Sequence, residues 1–239
     1  MNAFSAMNLN ASARESAFNE PDIDERTSDV FGKHLRQFNL LNPQDINSVP
    51  LVFWLLAGFF RKNAHYLETE GLFRVAAPEA DVRELEIHMS QDNFYYLETV
   101  KNCHIVSNYW KKLMREMSDP ICPFDQYDAY MDLTNIPPER RVYKLNTLLK
   151  QLPPQNRNTL KFIIQFMREV VVHEPKNRMN SYNIAVTVGP NIFRPLAVRP
   201  ADLFNAGTYY DVVIRMMENY EILFEGAPIP NPDDFDLMA

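Results

Sequence analysis

Residues 153–172 read PPQNRNTLKFIIQFMREVVV, and this stretch decides the fold class. Leu160, Ile163, Ile164, Met167, Val170 and Val171 recur at the three- and four-residue spacing that lines one side of an α-helix. Phe162, Phe166 and Val172 add apolar surface on the remaining sides, so the segment is expected to be a central buried helix. Pro153-Pro154 marks its start, because proline is tolerated in a first helical turn and its fixed φ suits that position.

Working outward, the same pattern repeats. Pro137-Pro138 precedes a helix carrying Val142, Leu145, Leu148, Leu149 and Leu152. Ser48-Val49-Pro50 opens one with Val52, Leu55, Leu56, Phe59 and Phe60, and Pro78-Glu79 opens one with Val82, Leu85 and Met89. Ile105, Tyr109, Leu113 and Met117 lie four apart on another, which Pro120 and Pro123 terminate. Asp125 onward suggests a further helix through Tyr127, Tyr130 and Met131. Ser181 reads as the cap of a short helix ending at Gly189-Pro190, and a last helix is expected over about 207–224. No strand pair is convincing and no repeat recurs. The expectation is an all-α fold, a single compact bundle of about nine helices over residues 29–225. Residues 1–28, polar and aperiodic, read as a flexible arm, and 226–239, with three prolines and three aspartates, as a tail.

Composition narrows the function. The chain has 239 residues and is 46% hydrophobic, enough for a large core. Six glycines against 17 prolines and 11 methionines favour helices over hairpins. A net charge of −7 argues against a nucleic-acid or anionic-membrane binder, which needs a basic surface. Cys103 and Cys122 have no metal-type spacing and read as buried thiols of a reducing compartment. The longest apolar run, Leu51 to Phe60, is too short to cross a bilayer, and no basic-then-apolar signal opens the chain. A cytoplasmic placement is therefore expected, with no metal site and no membrane segment.

Common catalytic signatures are missing. Gly32-Lys33 is followed by His34 and lacks the upstream glycine of a phosphate-binding loop, and no GxGxxG, HExxH or GxSxG is present. His34, His65, His88, His104 and His173 lack ligand spacing, and His173 beside Glu174 suits a helix C-terminus. Three clusters remain. Glu70-Gly71-Leu72-Phe73-Arg74 pairs a glycine and two apolar anchors with an arginine left to point outward. A rigidly presented guanidinium suits an anion, phosphate above all, although such a residue taken alone is more often an ordinary surface arginine. Lys111, Lys112 and Arg115 form a basic stripe, with Lys111 and Arg115 on one helix face. Residues 177–191, NRMNSYNIAVTVGPN, crowd three asparagines, Asn177, Asn180 and Asn183, into one helix-turn unit and end in Gly189-Pro190-Asn191.

In order, these clusters resemble the RhoGAP domain, the GTPase-activating domain for Rho-family small GTPases. The resemblance rests on EGLFR at 70–74, on the basic helix running into Met117-Ser118-Asp119-Pro120, and on Asn177-Arg178-Met179, Asn183-Ile184-Ala185 and Gly189-Pro190-Asn191. Val30-Phe31-Gly32 and Val49-Pro50 fit its start. It implies a protein that is not itself a hydrolase but lends Arg74, as an arginine finger, to a Rho/Rac-family small GTPase in its GTP-bound form. The partner holds the GTP and Mg²⁺, so this chain needs no cofactor. The resemblance implies that Arg115 braces the finger loop, that Lys111 binds the GTPase face or supports that loop, and that Asn191 bonds near the switch region or the finger. It extends the binding and support set to Asn183 and Gly71. Where the family commonly has Ser-Gly after the finger, this chain has Ala76-Ala77; where it has Lys, this chain has Arg178. The alternative is a catalytically weak module of the same fold that binds GTP-loaded GTPases as a scaffold or effector. A monomer is the default, with membrane recruitment coming from the partner.

Overall fold

The computed structural model describes residues 33–200, 202 and 206–227. The proposed arm at 1–28, Val30-Phe31-Gly32 and the tail from 228 onward lie outside the described residues. Among the described residues the chain is all-α and has no strand, only an isolated bridge between Leu40 and Pro50.

Twelve α-helices follow in order: α1 (Leu51–Lys62), α2 (Ala64–Leu67), α3 (Glu79–Ser90), α4 (Tyr96–Thr99), α5 (Cys103–Arg115), α6 (Tyr127–Met131), α7 (Pro138–Gln151), α8 (Pro154–Val172), α9 (Glu174–Asn177), α10 (Ser181–Ile192), α11 (Ala206–Glu218) and α12 (Tyr220–Phe224). Seven have twelve or more residues, and the others are single turns that redirect the chain. Proline sets several starts as expected: Pro138 and Pro154 occupy the first turns of α7 and α8, and Pro50 and Pro78 stand just before α1 and α3.

The core is aromatic where it matters for the site. Trp110 of α5 stacks on Phe166 of α8 with centroids 4.8 Å apart, and Phe60 of α1 lies 5.5 Å from Phe166. All three are fully buried. Helix α10 packs chiefly on α11 and also touches α5 and α8, so the late asparagine-rich segment lies beside the basic helix. The turn after α5 is fixed on three sides. Ser118 N donates to Lys33 O, Phe124 N donates to Asp119 Oδ1, and Arg194 donates to Met117 O.

Three helices depart from expectation. Helix α8 is central but not apolar all round. Gln165 is exposed and Val172 is 76% exposed, while Phe162 is only half-buried beneath the Arg61 guanidinium, 5.7 Å from its ring. Arg61 also pairs with Glu169 at 2.7 and 2.5 Å, so the outer side of α8 is covered by a charged side chain from the end of α1. Helix α10 is capped by Asn180, whose side chain accepts from Asn183 N, and it runs through Gly189-Pro190 to Ile192. Pro190 removes one helical bond, yet its φ is compatible with the final turn, and burial of Ile192 and Phe193 holds that turn closed. The last helix breaks at Asn219, whose backbone leaves helical geometry at φ −111° and ψ 30° while its backbone N and side-chain Nδ2 both donate to Arg215 O.

Candidate functional site

The loop between α2 and α3 makes two left-handed steps within three residues. Gly71 has φ +69° and Phe73 has φ +67°. Gly71 is required, because a Cβ there would lie 2.6 Å from Val75 Cγ2. Phe73 bears a side chain in a region that disfavours one by about 1–2 kcal/mol. Its ring offsets this by burying between Phe60, Trp110 and Phe166, at 6.0, 5.9 and 6.3 Å, and burial of such a ring contributes roughly 2–3 kcal/mol. The tight turn is closed by Arg74 N and Val75 N, both donating to Gly71 O at 2.8 Å. Leu72 and Phe73 are wholly buried, and Arg74 emerges exposed immediately after them. Its guanidinium lies over the bare face of Gly71 and has no hydrogen bond or ion pair among the described residues.

The loop is tied to the core from two sides. On one, Gly71 N donates to Asn177 O at 2.8 Å. Asn177 is fully buried, donates from Nδ2 to Leu67 O and Val170 O at 2.8 Å each, and accepts from Met179 N at 2.8 Å. On the other side stands α5. Lys111 Nζ donates to Phe73 O at 2.6 Å, and Asn108 Nδ2 donates to Val75 O at 2.8 Å. Burial, and secondarily the Arg115 charge, holds the Lys111 ammonium below its usual pKa of 10.5. Burial and then the charge of Lys111 push His104 below 6.5.

The basic stripe therefore divides its labour. Lys111 holds the loop. Lys112 pairs with buried Glu86 of α3 at 2.5 Å. Arg115, 55% exposed in its side chain, forms an ion pair among the described residues only with Glu116, at 3.5 Å, and its expected bond to the loop backbone is made by Lys111 instead. The reason is position: Lys111 is one helical turn closer to the loop, and Arg115 stands at the end of α5.

On α10, Asn183, Thr187 and Asn191 succeed one another at four-residue steps and share one face. Asn183 Nδ2 donates to the carbonyl of Arg178, which is left-handed at φ 59°. Asn191 is buried, and its amide turns to its own helix, donating to Thr187 O at 2.9 Å, and not toward the finger loop. Lys111, Arg115 and Asn191 meet in an open cleft of about 640 Å³ between α3, α5 and α10, with Glu79, Thr187 and Pro190 among its walls. Arg74 stands on the tethered loop beside this cleft, Gly71 lies beneath it, and Asn183 lies two turns from Asn191, about 12 Å along α10. The chemistry offered is a free guanidinium beside a groove of cations and amides, suited to phosphate and to polar protein backbone. Among the described residues no three His, Cys, Asp or Glu side chains gather to hold a metal, and no helix is long and apolar enough to cross a membrane.

Sequence reasoning left Asn108 unmentioned and gave Asn177 no role of its own. Asn177 was visible only as part of an asparagine-rich string. Asn108 gives no signal, since its partner is a backbone carbonyl 33 residues away.

A family model described as the RhoGAP domain matches residues 50–197. Rho GTPase-activating protein gacY of Dictyostelium discoideum is 25% identical over 203 residues, which cover 84% of this chain and 28% of that protein. Human Rho GTPase-activating protein 1 is 29% identical over 162 residues, covering 68% of this chain and 36% of that one. The chain thus spans little more than a third of such relatives at most. The crystal structure of human Rho GTPase activating protein 15 superposes with a TM-score of 0.71 at 20% identity, covering 82% of this chain and 92% of that one, a likeness of fold.

Proposed function

The chain belongs to the RhoGAP family, and from that premise we propose that it accelerates GTP hydrolysis by a Rho/Rac-family small GTPase, inserting Arg74 into the partner's nucleotide site. The observation that carries this reading is the state of Arg74: exposed, without a partner among the described residues, and standing on a loop whose backbone is pinned on both sides. A guanidinium tied up in a salt bridge would first have to be released.

Hydrolysis on an isolated small GTPase is slow because charge builds on the transferring phosphoryl group without enough compensation. An arginine supplied in trans stabilises that charge and accelerates the reaction about 10³–10⁵-fold. That corresponds to roughly 4–7 kcal/mol of barrier. The GTP-bound partner supplies nucleotide, Mg²⁺ and the water-positioning residue, and this chain supplies the guanidinium and the cleft. Lys111 supports the loop through Phe73 O, while Arg115, free of strong internal bonds, pairs with the partner's switch loops. Asn191 and Asn183 present the α10 wall, and Gly71 allows the turn. The chain acts as a monomer, recruited to membranes by the GTPase it engages.

The competing reading is a silent binding module, and Ala76-Ala77 is the feature behind it. Neither residue has positive φ, so the backbone there needs no glycine, which favours the active reading. Phosphate release from GTP-loaded GTPases, with Arg74→Ala and Arg74→Lys alongside, tests it. Both variants are expected to bind the GTP form and to lose most stimulation, the lysine because an ammonium lacks the planar fork. Full stimulation by Arg74→Ala would refute the proposal.

A further inference from the structure

We propose that Asn108 is a positioning residue for Arg74, holding the far side of the finger loop as Lys111 holds the near side; this rests on the arginine-finger reading above. The two residues are three apart on α5, so their side chains leave the same helix face. They take the carbonyls of Phe73 and Val75, the residues flanking Arg74. Arg74 is thereby bracketed, with its own N–H committed to Gly71 O.

Several features separate this from an incidental contact. The Asn108 amide nitrogen has two hydrogens, and both are used: one on Val75 O at 2.8 Å, the other on His104 O at 2.8 Å. Both partners are carbonyls, so only the NH₂ end of the amide can face them. The bond to His104 O, one turn back on the same helix, fixes the side chain's direction before the loop arrives. Asn108 is thus a pre-aimed donor. Beyond Val75 no substitute exists. Ala76 and Ala77 have no polar side chain, and their backbones make no hydrogen bond among the described residues before α3 starts at Glu79. Without Asn108 the Val75 side would keep only its bond within the loop, from Val75 N to Gly71 O, and would lose its tie to α5. Asn108 also lines the cleft, close to where the partner docks.

The test is single-turnover phosphate release titrated to saturation, comparing wild type, Asn108→Ala, Asn108→Asp, Arg74→Ala and the Arg74→Ala/Asn108→Ala double variant. Asn108→Asp keeps the shape and removes the donors, so a packing role would tolerate it and a donor role would not. The expected result is a plateau rate reduced about fivefold or more in both Asn108 variants, the equivalent of one net hydrogen bond. The half-saturating concentration should stay unchanged, and Asn108→Ala should have no further effect once Arg74 is gone. Amide exchange of residues 73–77 should quicken in Asn108→Ala. An unchanged plateau in both Asn108 variants, with Arg74→Ala inactive, overturns the inference and leaves the finger intact. An equal loss in the Arg74→Ala background, or a change confined to half-saturation, also overturns it. If wild type stimulates no partner, the functional reading falls and this one falls with it.

Discussion

Replacing Gly71 by alanine attacks the finger loop without removing any hydrogen-bonding group, although the new methyl would stand 3.4 Å from Arg74 Nη2. At φ +69° an alanine is strained by about 1–2 kcal/mol. Its methyl would also stand 2.6 Å from Val75 Cγ2, a distance real Cβ atoms do not tolerate. Val75 is 41% exposed and can turn away, but a β-branched side chain leaves its rotamer at about 0.5–1.5 kcal/mol. The two effects together predict a loss of about 2–3 kcal/mol in urea unfolding. Val75→Ala alone should cost no more than about 0.5 kcal/mol, as for other exposed positions. In the double variant the clash is gone and only the backbone strain remains, so about 1 kcal/mol should be recovered as coupling. Because Arg74 N and Val75 N both bond to Gly71 O, the single variant should also lose stimulated GTP hydrolysis by about tenfold or more, since small misplacements of a catalytic group have such effects. Strict additivity, or a Gly71→Ala protein with normal stability and activity, would refute the reasoning.

Asn177→Ala should destabilise by about 3 kcal/mol in urea unfolding, because it strips partners from Leu67 O, Val170 O and Met179 N in a buried site. Arg115→Ala should raise the concentration for half-maximal stimulation while leaving the plateau near wild type, as expected of a docking cation that does not hold the loop. The Asp202 carboxylate is held at about 2, below its usual 3.8, chiefly by the side-chain hydrogen bond from Arg199. A carboxylate with a depressed pKa adds stability above its unfolded value and loses it as pH falls through the folded one. The stability difference between wild type and Asp202→Asn should therefore be constant above about pH 5 and shrink toward pH 2. A difference that persists unchanged at pH 2 would contradict the Arg199 contact.

Much of the fold was legible because long helices leave long signals. Pro138 and Pro154 mark their own helix starts, and the apolar spacing of α1, α3, α5, α7 and α8 reports the buried face directly. The errors fell where tertiary contacts override local rules. Gly189-Pro190 reads as a stop, yet α10 continues because Ile192 and Phe193 are buried. Val172 reads as core, yet it stands on the outward face of α8 and is exposed while Val170 beside it is buried. At the site, residue types were legible and bonds were not. EGLFR announces an anchored arginine, but nothing in it reveals that Phe73 is also left-handed, or that its carbonyl meets Lys111 and not Arg115. Those facts depend on how α5 is rotated against the loop, which no local pattern encodes.

The central claim is that Arg74 acts on a partner's nucleotide. Its most direct test is single-turnover phosphate release from a panel of GTP-loaded Rho-family GTPases, at saturating wild type and saturating Arg74→Ala. The account predicts that wild type accelerates release from at least one partner by about 10³-fold or more, and that Arg74→Ala loses nearly all of this while still binding the GTP form. Binding of the GTP form with no acceleration by wild type, or acceleration that survives loss of Arg74, would contradict it.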